Sequence, residues 1–164
     1  ENQEKENPIH TWESPKPTDL KDYRPSKLKV SEFMATDLFT VGKDDLIDLV
    51  AEMMNWRKIR YMPVEDNKGN LVGLITSRLL LRHYTQQSKL KGQKKAIAAS
   101  DIMVEKVVTV GPEVTLYDAM NIMRENKIGS LPVVQRKELI GLITEMDFLR
   151  ISSRLIERLE SEDK

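Results

Sequence analysis

Residues Leu139–Asp147, which read L-I-G-L-I-T-E-M-D, carry the clearest structural signal in this chain. They form an apolar run of strand character that ends in Thr-Glu-Met-Asp, where a helix is expected to begin. The same run occurs once before, at Leu71–Leu79, as L-V-G-L-I-T-S-R-L. Because the two runs share the strand and differ in the residues that start the next helix, any functional difference between them is expected at that helix start.

The duplication extends well beyond this strand. Residues Ser31–Val64 align with Ser100–Val133 without a gap at a shift of 69, and ten of those 34 pairs are identical. Residues Leu71–Arg82 align with Leu139–Arg150 at a shift of 68, with seven identical residues among 12 pairs. Identity at this level, in the same order along the chain, indicates an internal repeat of two copies.

Each copy predicts the same order of elements, β-α-β-β-α. The second strands are predicted at Arg60–Glu65 and Ser130–Gln135, and the last helices at Ser77–Gln87 and Glu145–Leu159. A unit of about 50 residues buries too little surface to be comfortably stable alone. We therefore expect an α+β fold in which two pseudo-twofold-related repeats pack through their sheets.

The repeat also sets the expected domain organisation. Residues 1–27 contain four of the seven prolines and are predicted to be a linker or extended arm. The first repeat is predicted at 28–87 and the second at 99–159, joined by a linker at 88–98 and followed by a charged tail at 160–164. The lysine-rich part of the linker is interpreted as solvated, with a contact to phosphates as the alternative.

Composition excludes some classes of function. Lys+Arg and Asp+Glu are both 26, so the basic excess expected of a nucleic-acid-binding protein is absent. There is no cysteine, and no apolar run approaches the roughly 20 residues of a membrane span. We expect a cytoplasmic piece of a longer protein, with the parent domain N-terminal to residue 1. No catalytic motif is recognisable, so we expect no intrinsic enzyme activity.

With its internal repeat, the chain resembles a tandem CBS-domain pair, also called a Bateman module. The features that carry the resemblance occur in both copies: Met near the start, Thr-Val before the first helix, Pro-Val in the second strand and G-L-I-T after the hairpin. The resemblance covers about Lys29–Leu155. It implies a regulatory module that controls an attached domain or partner, binds AMP, ADP, ATP or S-adenosylmethionine without catalysis, and commonly forms a homodimer.

In that family the pattern Gly-h-x-[Ser/Thr]-x-x-Asp marks a competent nucleotide site. The second copy has it in full from Gly141 to Asp147, whereas the first copy has Leu79 in place of the aspartate. The resemblance implies that the Asp147 carboxylate accepts the ribose hydroxyls and that Thr144, at a helix N-terminus, suits a phosphate. One adenosine site per chain is therefore expected, not two.

The resemblance also implies that the site uses the early segment and second strand of the other copy. The predicted nucleotide-binding residues are Thr144, Asp147, Leu142, Ile59, Arg60, Tyr61, Met34 and Thr36. Arg60 would offer a planar fork of donors to phosphate. Tyr61 is bulky, so it would either stack on adenine or block the site. No metal site is predicted.

Several alternatives stay open at this point. Thr144 and Asp147 also match a plain helix capping box. Arg57 and Lys58 form a basic cluster with Arg60 that is either a solvated helix end or a phosphate-facing group. His83 is interpreted as a surface residue. The second functional hypothesis is a ligand-free structural dimerisation module, whose helix-mediated interface would use Leu79–Leu81 and Phe148–Leu155.

Overall fold

The computed structural model describes residues 28–87 and 96–162, and the chain divides into two compact units. Within the described residues, unit 1 contains 39–87, 96–107 and 136–139, and unit 2 contains the remainder. Helices and short strands occur in both units, which confirms the predicted α+β class. The predicted arm at 1–27 and most of the predicted linker lie outside the described residues.

Unit 1 is built on a three-stranded sheet in the order β1-β2-β3. Strand β1 runs parallel to β2, and β2 runs antiparallel to β3. The middle of β2 is buried on both faces, which explains why its sequence is a continuous apolar run instead of an alternating one. The elements of this unit are β1 (Val41–Gly42), α1 (Ile47–Arg57), β2 (Tyr61–Glu65), β3 (Leu71–Thr76), α2 (Ser77–Gln87) and α3 (Ala99–Ile102).

Unit 2 repeats the same plan with a shorter first strand. Val110 pairs in parallel with Val133, as Val41 pairs with Val64 in unit 1. Helix α5 is longer than its counterpart α2 and extends three residues beyond the predicted end. The elements of this unit are a 3-10 turn (Val30–Glu32), α4 (Leu116–Asn126), β4 (Ser130–Gln135), β5 (Glu138–Thr144) and α5 (Glu145–Glu162). The first two residues of β5 are grouped with unit 1.

Helices α1 and α4 end in the same way. Lys58 and Lys127, which follow them, adopt left-handed backbone conformations with φ of 55° and 54°. Their amides return to carbonyls of the last helical turn, so that the otherwise unsatisfied oxygens there have partners. No helix in the described part of the chain is long and apolar enough to cross a membrane.

The compact units do not coincide with the sequence repeats, because each unit contains the leading segment of the other repeat. Val30 is fully buried in the core of unit 2, and Ala99 is fully buried in the core of unit 1. The backbone of Ala35 exchanges two hydrogen bonds of 2.9 Å with Leu142, and Val104 exchanges two of 3.0 Å with Leu74. Neither core is complete without a segment that lies far away in the sequence.

Candidate functional site

The first turn of α5 holds the aspartate that separates the two copies. The Oδ2 atom of Asp147 accepts hydrogen bonds from the Thr144 amide at 2.8 Å and from the Thr144 hydroxyl at 2.7 Å. Its Oδ1 atom pairs with the Arg150 guanidinium at 3.3 Å. The Asp147 side chain is 12% exposed, so these contacts define most of its surroundings. Half of the capping box is therefore observed: the Asp147 carboxylate accepts from the Thr144 amide, while the Thr144 hydroxyl donates to that carboxylate.

The capping contacts do not use the full capacity of this carboxylate. A carboxylate offers about four acceptor positions, and the contacts with Thr144 and Arg150 occupy three of them. Accepting two ribose hydroxyls would therefore require one of the three contacts to be exchanged. The ion pair with Arg150 is the one most readily exchanged, because the Arg150 side chain is 43% exposed and exposed ion pairs contribute little stability.

The leading segment of the first repeat lies beside β5 in unit 2. The Met34 side chain covers Gly141, where a Cβ atom would lie 2.3 Å from the Met34 sulfur. Ala35 bridges to Leu142, and Thr36 follows it as an exposed residue. Unit 2 thus contains five of the predicted binding residues: Met34, Thr36, Leu142, Thr144 and Asp147.

The other three predicted residues belong to unit 1. Ile59 packs against the core of that unit and donates its amide to the Met54 carbonyl at 3.0 Å. Tyr61 begins β2, and the Arg60 guanidinium carbon lies 5.8 Å from the centre of its ring. The Arg60 cation therefore lies near the Tyr61 ring. A role for Ile59, Arg60 and Tyr61 in binding stays a prediction.

The first copy uses its helix start differently. The Thr76 hydroxyl accepts a hydrogen bond from the Leu79 amide at 3.2 Å, which is an ordinary N-cap. Leu79 is half-buried and has no oxygen to offer. The ribose-accepting group that the resemblance implies is therefore present in one copy and absent from the other.

Sequence reasoning missed a cation that lies close to two aromatic rings. The Arg57 guanidinium carbon lies 4.0 Å from the centre of the Phe39 ring and 4.1 Å from that of Trp56. The basic cluster was visible in the sequence, and the neighbouring tryptophan was a usable signal. Phe39 could not have been identified, because a contact over 18 residues depends on how β1 and α1 pack.

His83, which is predicted to be a surface residue, is only partly exposed. Its ring is half-buried, and its Nε2 atom is buried without a hydrogen-bond partner among residues 28–87 and 96–162. The second copy has Ile151 at this position, and Ile151 packs against the core of unit 2. Among the same described residues, no group of three His, Asp or Glu side chains could hold a metal ion.

Comparison with known proteins identifies the family. The family model described as "CBS domain" matches residues 30–85 and 99–154. A CBS domain-containing protein of Dictyostelium discoideum is 32% identical over 142 residues, which cover 80% of this chain and 95% of that protein. An inosine-5'-monophosphate dehydrogenase of Methanocaldococcus jannaschii is 32% identical over 123 residues, but the match covers 74% of this chain and 23% of the enzyme.

A solved structure agrees with this assignment. The crystal structure of CBSX2 in complex with AMP is 27% identical in sequence and superimposes with a TM-score of 0.69, covering 78% of this chain and 98% of that one. Two matches to the family model, in the places where the internal repeat lies, account for most of the sequence. The chain belongs to the CBS domain family and contains a pair of these domains.

Proposed function

We propose that this chain is a regulatory module that binds an adenosine nucleotide at the start of α5. The observation that supports the proposal is the Asp147 carboxylate, which the Thr144 amide and hydroxyl hold in the first turn of that helix. A helix N-terminus carries partial positive charge and amides that suit a phosphate. The first copy has Leu79 instead, so one nucleotide is proposed per chain.

The ligand is proposed to be AMP, ADP, ATP or S-adenosylmethionine. The similarity to a CBS protein crystallised with AMP supports the adenosine class. Regulation would follow from linkage: a ligand that binds one arrangement of the domains more tightly shifts the population towards it. An attached domain or a partner in the cytoplasm would then respond. The match to part of a much longer dehydrogenase supports attachment to a larger protein.

Thermal unfolding of the chain with each of the four ligands at millimolar concentration tests the proposal. At 100 times its dissociation constant a ligand stabilises by about 2.7 kcal/mol, which corresponds to a rise in Tm of several degrees for a protein of this size. The test variant is Asp147→Ala. The matched control is Asp118→Ala, because Asp118 also interacts with the preceding threonine, Thr115, at a helix start in the same unit.

Both variants are expected to lose a capping interaction and to melt earlier than the original chain. Only Asp147→Ala should lose the rise in Tm with nucleotide, since Asp118 lies on α4. Retention of the full rise in Asp147→Ala would contradict the proposed ribose contact. The absence of a rise with all four ligands in the original chain would reject nucleotide binding itself.

A structural dimerisation module is the second candidate function. The observation in its favour is that large apolar side chains are exposed on the last helix of each copy, with Leu81 68% and Leu149 57% exposed. Exposed apolar patches mark protein contacts, and a dimer interface on these helices would cover both leucines. A dimer that persists in sedimentation equilibrium, without any change in Tm on adding nucleotide, would favour this second function over the first.

A further inference from the structure

An ion pair occupies part of the carboxylate that is proposed to bind ribose. The Asp147 Oδ2 atom accepts from the Thr144 amide and hydroxyl, and the Oδ1 atom contacts the Arg150 guanidinium at 3.3 Å. Each carboxylate oxygen has about two acceptor positions, so the contacts within the described residues leave one position, on Oδ1. A ribose presents two hydroxyls, and the second can bind only where the Arg150 guanidinium lies.

Arg150 is the partner that can move. Its side chain is 43% exposed, whereas that of Asp147 is 12% exposed and is bound by Thr144. Residues three apart lie on the same face of a helix, and helical side chains lean towards the helix N-terminus. The Arg150 guanidinium therefore lies at the start of α5, and rotation of its own side chain is enough to release the carboxylate.

A guanidinium that leaves Asp147 is attracted to any other anion at the same helix start. Phosphate is such an anion, and arginine matches its oxygens with a planar fork of donors. Arg150 and the Thr144 hydroxyl contact the two oxygens of one carboxylate, so a phosphate bound at this helix start would lie beside both groups. A nucleoside without a phosphate would displace Arg150 and offer it no new partner.

We propose that Arg150 makes the site selective for phosphorylated ligands, because it competes with ribose for Asp147 and binds the phosphate of a nucleotide once it is displaced. The competition weakens the binding of every ribose, and the phosphate contact offsets this loss for AMP, ADP and ATP. Adenosine has no phosphate, and S-adenosylmethionine has a positive sulfonium at the corresponding position, so both are disfavoured. The inference rests on the proposed function and names the ligand class within it.

The first copy supplies a matched control. Arg82 lies at the position equivalent to Arg150, and Leu79 lies at the position equivalent to Asp147. Arg82 is exposed, so Arg82→Gln removes the same charge from the same place on the corresponding helix, and the leucine there has no carboxylate to release. An effect of net charge alone should therefore appear equally in Arg82→Gln and Arg150→Gln.

Isothermal titration calorimetry with AMP and with adenosine measures the selectivity. In Arg150→Gln the dissociation constant of adenosine is expected to fall about two- to fivefold, since the ion pair no longer competes with ribose. That of AMP is expected to rise about fivefold or more, because a charge-assisted contact with phosphate is lost. Arg82→Gln should change neither constant. Arg150→Lys, which keeps the charge, should retain most of the preference for AMP.

Deoxyadenosine distinguishes competition from a structural effect of the substitution. It lacks one of the two ribose hydroxyls, and the remaining position on Oδ1 can accept the other with Arg150 in place. Arg150→Gln should therefore tighten the binding of adenosine more than that of deoxyadenosine. A structural change at the helix start would alter the binding of both nucleosides equally.

The outcomes separate this inference from the proposed function. If AMP does not bind the original chain, both are overturned. If AMP binds and Asp147→Ala abolishes its binding, but Arg150→Gln leaves the ratio of the AMP and adenosine dissociation constants unchanged, the nucleotide site stands and the selectivity is overturned. The same holds if both constants change in the same direction in Arg150→Gln, or if Arg82→Gln changes the ratio equally.

Discussion

The two helix starts that follow the repeated strand use the same threonine in opposite ways. In the first copy the Thr76 hydroxyl accepts a hydrogen bond from the Leu79 amide. In the second copy the Thr144 hydroxyl donates to the Asp147 carboxylate, which also accepts from the Thr144 amide. One substitution, leucine against aspartate, thus changes the threonine from the capping acceptor into a donor that positions an anion. The difference shows how a duplicated framework can keep its fold while one copy alone retains a polar site.

The largest expected effect tests a feature that both copies share, a glycine in the repeated strand against which a methionine side chain packs. Gly141→Ala and Gly73→Ala should each reduce the free energy of unfolding by about 2 kcal/mol, since overpacking forces neighbours to shift. The two effects should be similar in size, because the new Cβ would also meet the Ala35 carbonyl oxygen at 3.2 Å at position 141 and the Met103 Cβ at 3.1 Å at position 73. Urea unfolding measures this. Gly111→Ala is the control, because nothing lies within 4 Å of its Cβ position. A neutral Gly141→Ala variant would show that Met34 moves aside freely.

The second-largest effect tests the difference between the two helix starts, which have Asp147 in one copy and Leu79 in the other. Asp147→Ala without ligand should cost about 1–2 kcal/mol, because the Thr144 amide and hydroxyl lose their shared acceptor. Thr76→Ala, which removes the simpler cap of the first copy, should cost less. Chemical denaturation of both variants gives the comparison. Equal losses would mean that the carboxylate contributes no more than a hydroxyl cap.

The first helices of the two copies offer a second comparison of caps. Thr115 accepts a hydrogen bond from the Asp118 amide at 3.1 Å, whereas Leu46 precedes α1 without a side-chain cap. Leu46→Thr should therefore stabilise by about 1 kcal/mol, and Thr115→Leu should destabilise by a similar amount. Destabilisation by Leu46→Thr would indicate that the exposed leucine contributes packing that the cap cannot replace.

A half-buried histidine distinguishes the last helices. His83→Ile, which introduces the residue of the second copy, should raise the free energy of unfolding by about 1 kcal/mol, since a buried nitrogen without a partner is costly. Thermal unfolding measures the gain, and His83→Gln, which keeps a polar group, should show none. A loss of stability in the isoleucine variant would point to a partner outside the described residues.

The smallest effect concerns a contact found in one copy. The Tyr84 hydroxyl donates to Asp48 at 2.6 Å, while the second copy has Ser152 and Tyr117 at these positions. Burial, reinforced by Asp48, raises the pKa of Tyr84 to about 12. Because the folded pKa is raised, the stabilisation is complete below the ordinary tyrosine pKa of about 10 and is lost as the pH rises towards 12.

Ultraviolet titration of tyrosinate tests this value. One tyrosine is expected to ionise near pH 12, and Tyr84→Phe should remove that step while costing less than about 1 kcal/mol, the usual value of an exposed hydrogen bond. If the late step persisted in Tyr84→Phe, the raised pKa would belong to another tyrosine.

Much of the fold was predictable because its signals are local. The apolar run that ends at Thr144, and its copy that ends at Thr76, each predicted a strand followed at once by a helix. The structure confirms both transitions at the same residues. Capping chemistry at Thr115 was equally readable, since it depends on residues three positions apart. Internal duplication then predicted two similar domains, and the family comparison confirms them.

Local sequence patterns were sufficient to predict the two repeats, their element order and the single intact Gly-to-Asp motif, because periodicity and short spacings encode these features. The tertiary structure added that Val30 and Ala99 fill the two cores, that Arg57 lies close to the rings of both Phe39 and Trp56, and that a nitrogen of His83 is buried. These features depend on contacts between residues distant in the chain. Many pairs of distant residues have similar side chains, and packing determines which of these pairs touch. No local sequence pattern identifies them.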